Sequence, residues 1–106
     1  MDPTSYIYLL QDGQYIGTSI YKIGRTTQNG DTRSLNSLNC YSKNTILVCL
    51  RQVNTEKVIE IKNDVIKVFT IKYNLVKGVD WFDGDKNQMI VDINTIIDKY
   101  LVSLEQ

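Results

Sequence analysis

An apolar stripe late in the chain limits the possible folds more than any other feature. Met89, Ile93, Ile96, Ile97, Tyr100 and Leu104 recur at i, i+3, i+4 and i+7 spacing. That spacing puts them on one side of a helix running from Asp85, its cap, to about Ser103. A helix with one apolar side must bury it. A second helix, from about Glu56 to Ile71 with Thr55 as its cap, presents Val58, Ile61, Val65, Val68 and Phe69 in the same way. The surface these helices cover comes from strands. Tyr6-Ile7-Tyr8-Leu9-Leu10 is dense in β-branched and aromatic residues and stops at Asp12-Gly13. A polar loop leads to Ile20-Tyr21-Lys22-Ile23-Gly24, which pairs with it, and Gly24 suits a tight exit or a close approach. Thr45 to Val53 is an apolar run long enough for a central strand, and Val79 to Phe82 is a short strand closed by Asp83-Gly84. Asp31 caps a short helix carrying Arg33, Leu35 and Leu38, which Asn39 stops. The order ββαβαβα predicts one α+β domain over residues 1–106, a small, mostly antiparallel sheet flanked by helices.

Composition removes several function classes. The chain has 12 Lys plus Arg against 12 Asp plus Glu, so any nucleic-acid contact has to come from a local basic face and not from overall charge. It has no His, which removes the commonest general base, the commonest zinc ligand and every Ser-His or Cys-His pair. Cys40 and Cys49 form neither a CxxC pair nor a disulfide framework and fit a reduced, intracellular setting. Met1-Asp2-Pro3-Thr4 has no basic n-region or apolar signal core. Thr45 to Leu50 is the longest uncharged apolar stretch, far short of the ~20 residues of a membrane helix. A soluble intracellular domain with no membrane partner is expected.

Three features exceed what a core requires: the pair Tyr6-Ile7-Tyr8 and Tyr21-Lys22-Ile23-Gly24-Arg25-Thr26, then Arg33, then Trp81-Phe82 between Asp80 and Asp83. In this order they resemble the GIY-YIG nuclease superfamily, most closely its T5orf172-like subgroup from phages and large DNA viruses. Tyr6-Ile7-Tyr8 is similar to the first half-motif, with Tyr6 where Gly is common. Tyr21 to Thr26 is similar to the second, with Lys22 in a slot that other branches fill with Tyr. Arg33 stands at the family's distance after the glycine. Val65-Ile66-Lys67 with Tyr73-Asn74 resembles the end of the second long helix, and Val79 to Gly84 resembles the closing acidic-aromatic motif. Tyr15-Ile16-Gly17 spells the second half-motif literally, but it follows Tyr8 too closely for two paired strands and lacks a basic residue after it.

The resemblance implies metal-dependent hydrolysis of DNA phosphodiester bonds with Mg2+ or Mn2+, and a host-cell cytoplasm or nucleus as the setting of a viral protein. Tyr8, with Tyr21 as a second candidate, would orient or deprotonate the attacking water. Arg33 would hold the scissile phosphate, and Lys22 and Arg25 would contact phosphate oxygens. A tyrosine base has a reference pKa of about 10, so Lys22 beside it would help by stabilising the phenolate. Positioning and charge stabilisation supply most of the catalysis of phosphoryl chemistry, and Arg fits a phosphate with its fork.

One slot departs from the family. Aligning Val65 to Phe69 puts the family's metal-binding Glu at position 62, which here is Lys62. At about 100° per residue, position 62 falls near the centre of the inner stripe, whereas Glu60 and Asp64 are turned roughly 160–200° out from it. An ammonium has no lone pair for a hard cation. Catalysis is therefore expected to be impaired or absent, with Lys62 left to neutralise phosphate. The alternatives are a non-cleaving DNA-binding module using Lys22, Arg25, Arg33 and Lys62, a protein-interaction domain without nucleic acid, and a shifted register that turns Glu60 inward and Val65 and Phe69 outward. Without the resemblance, Tyr8 would be strand packing, Arg33 a solvated helix residue, Trp81-Phe82 a core plug and Asn74 a helix cap.

Overall fold

Strand-forming residues dominate positions 3–11, 20–29 and 46–53, and there the backbone is extended. The computed structural model describes residues 3–29 and 41–105. Strand β1 spans Pro3–Gln11 and β2 spans Ile20–Asn29, separated by one 3-10 turn at Gly13–Tyr15. Strand β3 spans Ile46–Val53 and leads into helix α1, Val58–Lys72. Two short strands, β4 at Asn74–Lys77 and β5 at Trp81–Asp83, precede helix α2 at Lys86–Glu105. The five strands form one antiparallel sheet in the order β3-β1-β2-β5-β4. The fold is small α+β, with two helices among the described residues. The helix expected from Asp31, with Arg33, lies outside them, as does Cys40.

The core is built by the alternation of strand side chains. Ile7 and Leu9 of β1, Tyr21 and Ile23 of β2 and Phe82 of β5 meet Val58, Ile61, Val65 and Phe69 of α1. Met89, Ile93, Ile96 and Ile97 of α2 complete the cluster, as the helical spacing predicts. Phe69 packs edge-on against Phe82, ring centroids 5.4 Å apart. Complete burial of Val65 and Phe69 fixes the rotation of α1 and excludes the register that would turn Glu60 inward.

Several expectations are corrected. β3 is an edge strand and not a central one, and its Ile46 and Leu50 face solvent at 49% and 36% exposure. The strand buried on both faces is β1, where Tyr6 to Gln11 are all buried. A run of apolar residues reports how much can be buried, not how many neighbours the strand has. The single strand expected between the two helices is a pair. The helix ends at Lys72, Tyr73 turns to extended backbone (φ −128°, ψ 166°), and the chain continues as β4. All four β4 residues are exposed, so no burial pattern marks the strand. Asn74 is accordingly a strand residue and not a helix cap. Thr55 does not cap α1 either, since the N-cap residue is Lys57, which makes no side-chain capping bond. The Thr55 hydroxyl accepts from Ser5 at 2.8 Å and donates to the Pro3 carbonyl at 3.2 Å, tying β1 to the approach of the helix. Asp85 does cap α2, accepting from the backbone N–H groups of Asn87 (2.8 Å) and Gln88 (3.1 Å).

Among the described residues no helix is long and apolar enough to cross a membrane. Cys49 is half-buried on β3, and burial pushes its thiol up from the ordinary value, which keeps it in its unreactive form.

Candidate functional site

The pairing of β1 with β2 sets Tyr8 opposite Gly24. A Cβ at Gly24 would collide with Cζ, Cε1 and the hydroxyl of Tyr8, so the phenol lies flat across this position only because the residue has no side chain. The close approach suggested for Gly24 is therefore made by Tyr8. The strand does not exit there and continues to Asn29.

Lys22 stands two residues before Gly24, on the same side of β2. Its Nζ donates to the Tyr41 hydroxyl at 2.7 Å, and that hydroxyl shares a 3.1 Å hydrogen bond with the hydroxyl of Tyr8. The Lys22 ammonium lies 5.3 Å from the centre of the Tyr41 ring and 5.9 Å from that of Tyr8, close enough for cation–π attraction to both. Lys22 Nζ is also 3.8 Å from Oδ2 of Asp80, and Lys62 Nζ approaches the same oxygen at 3.3 Å from α1. Asp80 is held in place by its backbone, whose carbonyl accepts from the N–H of Ile23 at 3.0 Å. The side chains of Lys22, Asp80 and Lys62 are 18%, 17% and 19% exposed, neither sealed from water nor loose in it.

Tyr8, Lys22 and Lys62, far apart in the sequence, are thus joined through Tyr41 and Asp80. Neither linker stood out beforehand as a site residue. Asp80 was visible only as the acidic start of the Trp81-Phe82 motif, and Tyr41 carried no signal because it lies in a polar loop. The loop is nevertheless fixed. Asp12 accepts from the backbone N–H groups of Gln14 (3.0 Å) and Ser42 (3.3 Å), and the N–H of Gly13 donates to Thr45 Oγ1 at 3.0 Å. Burial raises the Asp12 carboxyl, but the hydrogen bonds from Gln14 and Ser42 and the charge of Lys77 outweigh it and hold the group below the usual carboxylate range. The turn carrying Tyr15 and the segment carrying Tyr41 are clamped together by this one side chain.

Two expected site residues do not join the cluster. Tyr21 is buried in the helix-facing core, its Cα paired with Phe82, so a role beside Tyr8 in orienting water does not fit its position. Arg25 is exposed and shares the strand side of Tyr21 and Ile23, opposite to Lys22. In each case the two-residue strand period separates neighbours that the sequence lists together. Arg33 is outside the described residues. Of the acids considered for position 62, Glu60 is exposed and pairs with Lys57 at 3.5 Å. Asp64 was expected on the solvated face; it is half-buried and accepts a hydrogen bond from the Tyr100 hydroxyl. That bond, with burial as the larger cause, pushes the Tyr100 phenol well above its ordinary value. Trp81-Phe82 divides: Phe82 plugs the core and Trp81 is half-buried at the surface.

The cluster does not fit Mg2+ or Mn2+. Among the described residues its carboxylate, Asp80, is contacted by two ammonium groups and stands beside two phenols, whereas a hard divalent cation needs several anionic or carbonyl oxygens. No group of three or more His, Cys, Asp or Glu able to hold a metal occurs among the described residues. The arrangement suits an anion instead. An anionic oxygen entering between Lys22 and Lys62 would compete with Asp80 for both ammonium groups, with the Tyr8 and Tyr41 hydroxyls as further donors. Comparison with protein-family models, curated proteins and solved structures finds no match to this chain.

Proposed function

We propose that this chain is a GIY-YIG-like domain that holds the backbone of DNA and does not cleave it by the metal-dependent route. The observation that carries the proposal is the pair of ammonium groups, Lys22 and Lys62, on the carboxylate of Asp80, with Lys22 joined through Tyr41 to the Tyr8 hydroxyl. The likeness to the family supplies the identity of the site: Tyr8 laid across the glycine of the second half-motif, and a residue of the long helix aimed at the same place. The substitution of Lys for Glu at position 62 supplies the change of function. Where the family's carboxylate would attract a cation, this chain presents a fixed positive charge to a phosphate. Asp80 holds the two lysines apart from solvent counter-ions until the phosphate replaces it.

Two measurements test the proposal. In a supercoiled-plasmid assay with Mg2+ or Mn2+, no nicking is expected from this chain. Lys62→Glu is the variant in which cleavage should emerge if position 62 occupies the metal slot. Metal-dependent nicking by the unaltered chain overturns the proposal. In a salt titration of duplex binding, log affinity should fall linearly with log salt, and Lys62→Ala should reduce the slope by about 0.9, the loss of one phosphate contact. A flat response, or no binding at low salt, removes DNA as the partner and leaves a protein-interaction domain.

A further inference from the structure

Beside the lysine cluster lies a group of aromatic rings that the core does not need. Trp81 is half-buried at the first position of β5, whereas Phe82 after it is fully buried. The Trp81 ring packs against Tyr15 with centroids 5.5 Å apart and planes at 58°, and meets Tyr41 edge-on at 6.4 Å and 67°. An exposed lysine of β4, Lys77, places its ammonium 4.4 Å from the centre of Trp81 and 5.3 Å from that of Tyr15. Lys22 lies over the third ring, Tyr41. Three rings from three separate segments are thereby brought together, with Lys77 against two of them and Lys22 against the third.

We propose that Trp81, Tyr15 and Tyr41 form a stacking platform for an unpaired nucleotide of a DNA strand, with Lys77 and Lys22 on the phosphates that flank it. The proposal deepens the DNA-binding reading above and rests on it. With Lys77 turned aside, the Trp81 ring offers a π face to a base and the two ammonium groups become available to the backbone, which is how proteins hold single strands without reading their sequence. The sign of the charges selects the occupant. A cationic ligand would find the ring faces already covered by Lys77 and Lys22, whereas an anionic strand can draw Lys77 off Trp81 and leave the ring to the base. The stem of Lys77 is long and exposed, so its head can turn to a phosphate without moving β4. Bases inside a duplex are stacked on their own neighbours, so only an unpaired or splayed nucleotide can use the platform.

Trp81 is the sole tryptophan of the chain, and its emission therefore reports stacking directly. The protein is titrated with an oligothymidine of about 12 nucleotides, with an abasic strand of the same length and charge, and with a duplex. Oligothymidine is expected to quench Trp81 and to bind about 10-fold more tightly than the abasic strand. Tyr15→Ala should shrink that gap, and Trp81→Phe, which keeps a ring, should retain most of it. Equal binding of the two strands with unchanged Trp81 emission overturns the platform and leaves phosphate binding standing. Failure to bind any of the three at low salt overturns the DNA reading and the platform together.

Discussion

Two aspartates of this protein each gather a lysine and stand near a tyrosine, and they serve different ends. Asp92, in the first half of α2, is buried and takes hydrogen bonds on both oxygens. Lys72 Nζ (2.7 Å) and Gln88 Nε2 (3.1 Å) donate to Oδ1, and the Tyr73 hydroxyl (2.6 Å) donates to Oδ2. Burial raises its carboxyl, yet those three donors outweigh burial and hold it below the usual range. The Tyr73 phenol is pushed the other way, first by burial and then by its bond to the charged Asp92. Among the described residues no buried side-chain nitrogen or oxygen lacks a partner, and this group fastens the end of α1 to α2. Asp80 immediately precedes the three-residue strand β5 and presents one oxygen to two ammonium groups. The nearby Tyr8 and Tyr41 hydroxyls bond each other, and Lys22 donates to that of Tyr41. Among the described residues, positive charge exceeds negative in that small space. A closed network stabilises the fold, and one with a surplus cation is open to an anion.

Removing Asp92 gives the largest effect. Asp92→Ala leaves the Tyr73 hydroxyl and the Lys72 ammonium without their acceptor, and a loss of about 3 kcal/mol is expected in urea unfolding. Its duplex affinity and salt slope should match those of the unaltered chain. A salt slope that falls with this variant would mean that the two aspartates do not separate into structure and site.

Gly24→Ala comes next, because it strikes the site through packing alone. The new methyl group has to displace the Tyr8 ring, costing about 2 kcal/mol of stability. DNA affinity should fall as well, since the Tyr8–Tyr41–Lys22 chain shifts with the ring. An unchanged affinity would show that Tyr8 does not help to hold the ligand.

Alkali distinguishes the regions more gently. Tyr73 and Tyr100 ionise at higher pH in the folded protein than their ordinary value of 10.0, so their contribution to stability is complete below pH 10 and is lost as pH rises above it. The slope is at most about 1.4 kcal/mol per pH unit for each proton. Tyr73→Phe and Tyr100→Phe should each flatten the alkaline limb of a pH–stability curve, and a limb that neither variant alters would contradict the assignment.

The smallest change in stability is expected at Asp80. Asp80→Asn should shift unfolding by less than about 1 kcal/mol, since both lysines can turn to water. It should raise duplex affinity about 5-fold by freeing two ammonium groups for phosphate. Weaker binding would mean that Asp80 organises the lysines and does not compete for them.

The amino-acid sequence by itself determined the local elements and the buried sides of the helices, because helical and strand periods are properties of consecutive residues. Met89 to Ile97 and Val58 to Phe69 show their burial in their spacing, Tyr8 and Lys22 belong to a paired motif in excess of a core, and Lys62 stands out only through the likeness to the family. Tertiary structure alone decided which strand is central, because a strand's neighbours are set by pairing over long separations; β3 lies at the edge for that reason. It alone produced β4, whose exposed residues form a strand only against β5. It alone set Tyr21 in the core and Lys22 in the cluster, and made partners of Tyr41, Asp80 and Trp81. A polar cluster assembled from a loop, a strand end and a helix has no period of its own, so its geometry exists only once the chain has folded.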